Sequence, residues 1–64
     1  MLEYYVLTDN AQLESIIEFI RCYSLDYEIH LNRTRFSVPK GEIHTEFLLR
    51  FSEHCARVDS QSTL

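Results

Sequence analysis

The sequence predicts an α+β fold: a small two-layer sandwich of element order β-α-β-β-α, with a three-stranded mixed or antiparallel sheet and two helices on one of its faces. Three observations lead there. Three segments alternate apolar and polar residues with period two, at positions 2–7, 27–31 and 34–38. Two others, around 13–24 and 43–58, carry apolar stripes at the helical period of 3.6. Clusters of turn-forming residues separate most of these segments, so the periodicity changes where the chain is free to bend.

In the first strand Leu2, Tyr4 and Val6 alternate with Glu3, Tyr5 and Leu7, the pattern of a strand with one face better buried than the other. Thr8-Asp9-Asn10 follows, and Asp9 with Gln12 three positions later has the form of a capping box, in which each side chain satisfies an orphan backbone donor. The first helix then carries Leu13, Ile16, Ile17, Ile20 and Ser24 on one stripe, bordered by Tyr23, with Glu14, Glu18 and Arg21 on its wet side. It is expected to end near Ser24 or Leu25.

Tyr27, Ile29 and Leu31 alternate with Glu28 and His30, and after Asn32-Arg33 the residues Thr34, Phe36 and Val38 alternate with Arg35 and Ser37. This is a β-hairpin whose turn uses asparagine without the usual glycine. Pro39-Lys40-Gly41 holds the only proline and the only glycine of the chain and breaks the strand. The second helix is expected to run from there to Val58, with Ile43, Phe47, Phe51, Cys55 and Val58 on one stripe, Glu42 near its positive end and Arg57 near its negative end.

A right-handed crossover followed by a hairpin gives the spatial order 1-3-2. Strand one is then an exposed edge, with Leu2, Tyr4, Val6, Tyr27, Ile29, Leu31, Phe36 and Val38 on the covered face and Glu3, Tyr5, Leu7, Glu28, His30, Arg35 and Ser37 on the open one. This element order resembles a ferredoxin-like βαββαβ domain lacking its last strand. The resemblance lies in the order of elements and implies a fold, which carries no function with it.

With 64 residues and 45% apolar content, the chain is expected to form a single domain over residues 1–58, near the lower size limit for one core. A disordered C-terminal tail is expected over residues 59–64. Only Cys22 and Cys55 are available for a disulfide, fewer than a small secreted scaffold uses, which points to reduced thiols and a cytoplasmic protein. No stretch approaches the roughly 18 to 20 apolar residues of a membrane span, and MLEYYVLTDN has no basic segment followed by an apolar run, so no targeting segment is expected. The formal charge of −4 argues against an anionic membrane and against affinity driven mainly by phosphate contacts.

Catalytic and metal-binding patterns are weak. His30, His44, His54, Cys22 and Cys55 contain no CxxC, HxxxH or HExxH pair. On one helix, His44 and His54 would lie about 15 Å apart at 1.5 Å per residue, too far to share a metal. Glu14 with Glu18 and Glu42 with Glu46 fall outside the apolar stripes, where a carboxylate lacks the burial that general acid–base catalysis uses. No cofactor, metal or enzymatic activity is expected.

Apolar and aromatic side chains beyond the needs of a small core point instead to association. Phe19, Cys22 and Tyr23 form a shoulder on the first helix, and Tyr5 and Leu7, with His30 and Arg35, lie on the open sheet face. These seven residues are the candidate protein interface, since interfaces concentrate aromatic residues and arginine at their centres. The expected function is therefore that of a small non-catalytic regulator or inhibitor that binds a partner protein directly, as a homodimer through the strand-one edge or the Phe19 shoulder. The alternative is a protein binding RNA or single-stranded DNA on the open sheet, with Arg33, Arg35 and Lys40 as its basic residues. The terminal Gln-Ser-Thr-Leu also has the form that a carboxylate-capturing groove reads.

Overall fold

The computed structural model describes residues 2–58; the expected tail and its terminal Gln-Ser-Thr-Leu lie outside them. The chain runs β1 (Leu2–Leu7), α1 (Leu13–Cys22), β2 (Tyr27–Ile29), β3 (Arg33–Val38), α2 (Glu42–Phe51) and β4 (Ala56–Arg57). The α+β class stands, and the order 1-3-2 survives within the sheet order β2-β3-β1-β4, in which every neighbouring pair is antiparallel. The three-stranded sheet is corrected to four strands. Strand one is not an edge: β4 pairs with it at Tyr4↔Arg57 and Tyr5↔Ala56, and the Val58 N–H donates to the Glu3 carbonyl at 2.9 Å.

The same correction shortens the second helix. It ends at Phe51, seven residues before Val58, and Arg50 rather than Arg57 supplies the cation of its last turn. Ser52-Glu53-His54 contains neither glycine nor proline to announce the end. What ends the helix is tertiary: the outer edge of β1 offers backbone partners that only an extended segment satisfies. Cys55 still packs against the core, so the apolar stripe continued in sequence although the helix did not.

The first helix begins at Leu13 and not at a capping box. Asp9 takes no part; Asn10 Oδ1 accepts from the Gln12 backbone N–H at 2.8 Å, and the Asn10 carbonyl accepts from Leu13 N–H at 3.1 Å. At the other end Ser24 N–H donates to the Arg21 carbonyl and Leu25 N–H to the Ile20 carbonyl, the two bonds of a Schellman motif. Its left-handed position is filled by Ser24 at φ 54°, where a β-carbon crowds the backbone and glycine does not. Ser24→Gly is expected to raise stability by about 0.5–1 kcal/mol, read as a higher urea midpoint with an unchanged slope; an unchanged or lower midpoint contradicts the cap.

Five aromatic rings make most of the core. Phe47 is fully buried and lies 4.7 Å from Tyr4, 5.5 Å from Phe36, 5.9 Å from Phe19 and 6.0 Å from Phe51, centroid to centroid. Ile16, Ile20, Val6 and Val38 fill the space around them. Phe19 is therefore not a surface shoulder; at 3% exposure it is core. A stripe drawn toward the sheet misses the contact of α1 with α2, and Phe19 faces Phe47 and Phe51 across that contact.

The expectation for β2 is also corrected. Tyr27 and Ile29 pair with Phe36 and Thr34 and so share the covered face, as their parity required. Yet Tyr27 is 45% exposed, Ile29 72% and Leu31 98%, and none of them joins the core or the side chains packed on it. The core stops at β3.

Candidate interaction edge

β2 is the last strand on its side of the sheet, and the hydrogen bonds of its inner side identify the groups on its outer side. Ser37 N–H donates to the Asp26 carbonyl at 3.0 Å, and His30 N–H to the Arg33 carbonyl at 2.8 Å. With the pairing Glu28↔Arg35 between them, the even-numbered residues of β2 direct their backbone toward β3. Antiparallel pairing alternates, so Tyr27 and Ile29 direct N–H and C=O outward. No strand covers that side among the described residues.

The turn that closes the hairpin is centred on Leu31-Asn32, one residue earlier than the sequence suggested. Among the described residues only Ser24 and Gly41 have positive φ, so Asn32 does not use its tolerance for the left-handed region. Its carbonyl instead accepts from Thr8 N–H at 3.0 Å, which fixes the turn to the end of β1. This anchorage presents Leu31 almost fully to solvent beside Ile29, and an exposed apolar row thus lies along a strand edge with outward-facing backbone groups.

The seven residues expected to form a protein interface do not gather on one surface. Leu7 is exposed at the end of β1, and Tyr5 lies half-buried under the Arg33 guanidinium, 5.0 Å from its ring centre. Arg35 is held to Glu3 at 2.6 Å, and His30 lies 3.3 Å from Glu28. These four are on the open sheet face or its border. Cys22 is exposed on α1, whereas Phe19 is buried and Tyr23 packs on it at 4.8 Å.

Tyr23 also donates to Glu46 Oε1 at 2.8 Å, and this hydrogen bond, ahead of partial desolvation, holds its phenol above the usual range. The side chains missed as surface features, Tyr27, Ile29 and Leu31, had been assigned to the core by alternation. Alternation reports which face a side chain shares; whether a helix covers that face depends on strand position.

The basic residues expected for nucleic acid divide as well. Arg33 and Arg35 project from β3, while Lys40 lies beyond its other end, roughly 20 Å from Arg33 at ~3.3 Å per residue. A cation not anticipated there takes its place: Arg57 and Val58 join Tyr5, Arg33 and Arg35 around a concavity of about 290 Å³. Arg35 is already neutralised by Glu3.

His54 lies in the turn after α2, and His44 accepts or donates a 2.7 Å hydrogen bond with the Tyr4 hydroxyl. Among the described residues no three His, Cys, Asp or Glu side chains converge as metal ligands. No helix there is long and apolar enough to cross a membrane.

The two cysteines differ in environment. Both are free, Cys22 exposed and Cys55 half-buried, and burial pushes the Cys55 thiol up to about 12. Because the folded state holds this proton more tightly than the unfolded state, whose thiol titrates near 9.0, the unfolded chain binds fewer protons as pH rises. Stability is expected to fall across the window from about pH 9 to about pH 12. Cys55→Ala should flatten that fall in urea midpoints measured along the window, and an equal slope in parent and variant contradicts it. No protein-family model matches the chain, and no curated protein or solved structure matches it either.

Proposed function

We propose that this is a small non-catalytic protein-binding module, acting as a regulator or inhibitor, whose binding element is the outer edge of β2. One observation carries it: Tyr27 and Ile29 combine outward backbone groups with side chains 45% and 72% exposed, and Leu31 extends the row. Strand addition uses both features together, since main-chain hydrogen bonds give affinity and alternate side chains give specificity. Natural sheet edges are commonly protected by shortness, charge, lysine, proline or a covering element; β2 is three residues long and carries Glu28, but contains no lysine or proline, and no described strand covers its outer side. The ferredoxin-like arrangement of elements suits this, because its open face and its β2 edge are both left to solvent.

Affinity capture from native lysate with the tagged protein, after nuclease treatment and at low and high salt, tests the proposal. A near-stoichiometric protein retained by the parent and lost with an Ile29→Lys bait supports it. Retention that is indifferent to Ile29→Lys counts against the β2 edge. A second reading, RNA or single-stranded DNA on the open sheet, is favoured by the concavity that Tyr5 shares with Arg33, Arg35 and Arg57. In that case recovery depends on nucleic acid, falls steeply with salt, and disappears when Arg33, Arg35 and Arg57, which line that concavity, are replaced with alanine.

A further inference from the structure

The edge of β2 is complementary to itself. Any strand that adds to it must present its own outward N–H and C=O groups to those of Tyr27 and Ile29, and place apolar side chains on the helix-bearing face. β2 of another molecule does both when it runs antiparallel, because the odd-numbered residues then meet as hydrogen-bonded pairs and share the face.

Carboxylate repulsion, and the capacity of an imidazole to hydrogen-bond a carboxylate, then select among the possible registers. The even-numbered residues form the closer, non-hydrogen-bonded pairs, where opposite charges stabilise and like charges destabilise. With Tyr27 on the two-fold axis, Asp26 of each copy faces Glu28 of the other. With Glu28 on the axis, the two Glu28 carboxylates face each other at the centre, between two flanking Asp26–His30 pairs. With His30 on the axis, two imidazoles meet. With Ile29 on the axis, each Glu28 faces His30 of the other copy, twice over, and Tyr27 lies against the hairpin turn that carries Leu31. Glu28 and His30 are positioned for it: they lie 3.3 Å apart within one chain, with side chains 74% and 43% exposed.

We infer that the strand received by β2 is β2 of a second copy, antiparallel and with Ile29 opposite Ile29, so that Glu28 of each molecule pairs with His30 of the other. This rests on the strand-addition reading above. The interface is isologous, as a closed two-fold dimer requires, and it joins two four-stranded sheets into one continuous sheet. It replaces the two dimer contacts expected from sequence, since β4 covers β1 and Phe19 is buried.

Sedimentation equilibrium of the full chain tests this with the parent, Glu28→Lys, His30→Glu and an equimolar mixture of the two variants. All three side chains at issue, Ile29 included, are solvent-exposed, and circular dichroism confirms that each variant folds. The parent is expected to dimerise, each single variant to associate about tenfold more weakly or less, and the mixture to recover the parent's affinity. Recovery follows because the ammonium introduced at position 28 faces the carboxylate introduced at position 30, while native Glu28 and His30 still face each other.

If the mixture of Glu28→Lys with the parent associates more tightly than the two-variant mixture, Glu28 lies on the axis and the register is overturned. A parent that stays monomeric at every concentration overturns the second copy altogether. In that event, capture of another protein that is sensitive to Ile29→Lys leaves strand addition standing, and capture that is insensitive removes both.

Discussion

Phe47→Ala is expected to unfold most of the population at ambient temperature. The ring is fully buried and touches both layers of the sandwich, meeting Tyr4 and Phe36 from the sheet and Phe19 and Phe51 from the helices. Truncating a buried phenylalanine costs about 3–5 kcal/mol through lost transfer energy and the cavity left behind. A core of this size seldom supplies more than about 3–5 kcal/mol of net stability, so the loss is comparable to the whole. The parent should show a cooperative thermal transition and the variant a broad one, or none. Phe47→Leu, which refills most of the volume, should retain a transition at lower temperature. A Phe47→Ala protein that melts within a few degrees of the parent would place the centre of the core elsewhere.

Much of that core was legible in the sequence, because alternation and helical periodicity register burial directly. Tyr4, Val6, Phe36 and Val38 fell on the covered face, and Ile16, Ile20, Phe47 and Phe51 on the covered stripes, where they are found. What escaped was set by neighbours distant in sequence. β4 is two residues long, too short for a period-two signal, and Cys55 and Val58 on either side of it continue the apolar spacing of α2. Phe19 lay off the stripe that faces the sheet, yet it packs against the second helix. In β2 the parity was right and the coverage wrong, since period two cannot distinguish a central strand from an edge. The candidate site was thus legible as three apolar side chains at alternate positions, and its exposure was not.

Ile29→Lys is expected to separate folding from association. The side chain is 72% exposed, so folding stability should change by no more than about 0.5–1 kcal/mol, the range of exposed positions and strand preferences. In an added-strand interface the same change places an ammonium in the apolar row beside Tyr27 and Leu31, as natural edges do to prevent pairing. A loss of roughly 2 kcal/mol or more is expected, which lowers affinity about thirtyfold. The thermal midpoint and the association constant, measured on the same preparation, report the two effects separately. Parallel loss of both would mean that Ile29 supports the fold and that the edge is no more than its border.

Residue-resolved amide exchange at low and high protein concentration tests the β2 edge most directly. Glu28 and His30 bond inward to β3 at any concentration, while the Tyr27 and Ile29 amides face outward. The expected result is that Tyr27 and Ile29 exchange fast in dilute protein and slow down as concentration rises, with Glu28 unchanged. Exchange at Tyr27 and Ile29 that stays fast at every concentration, or protection that appears instead at the amides of β1, would contradict self-pairing at this edge.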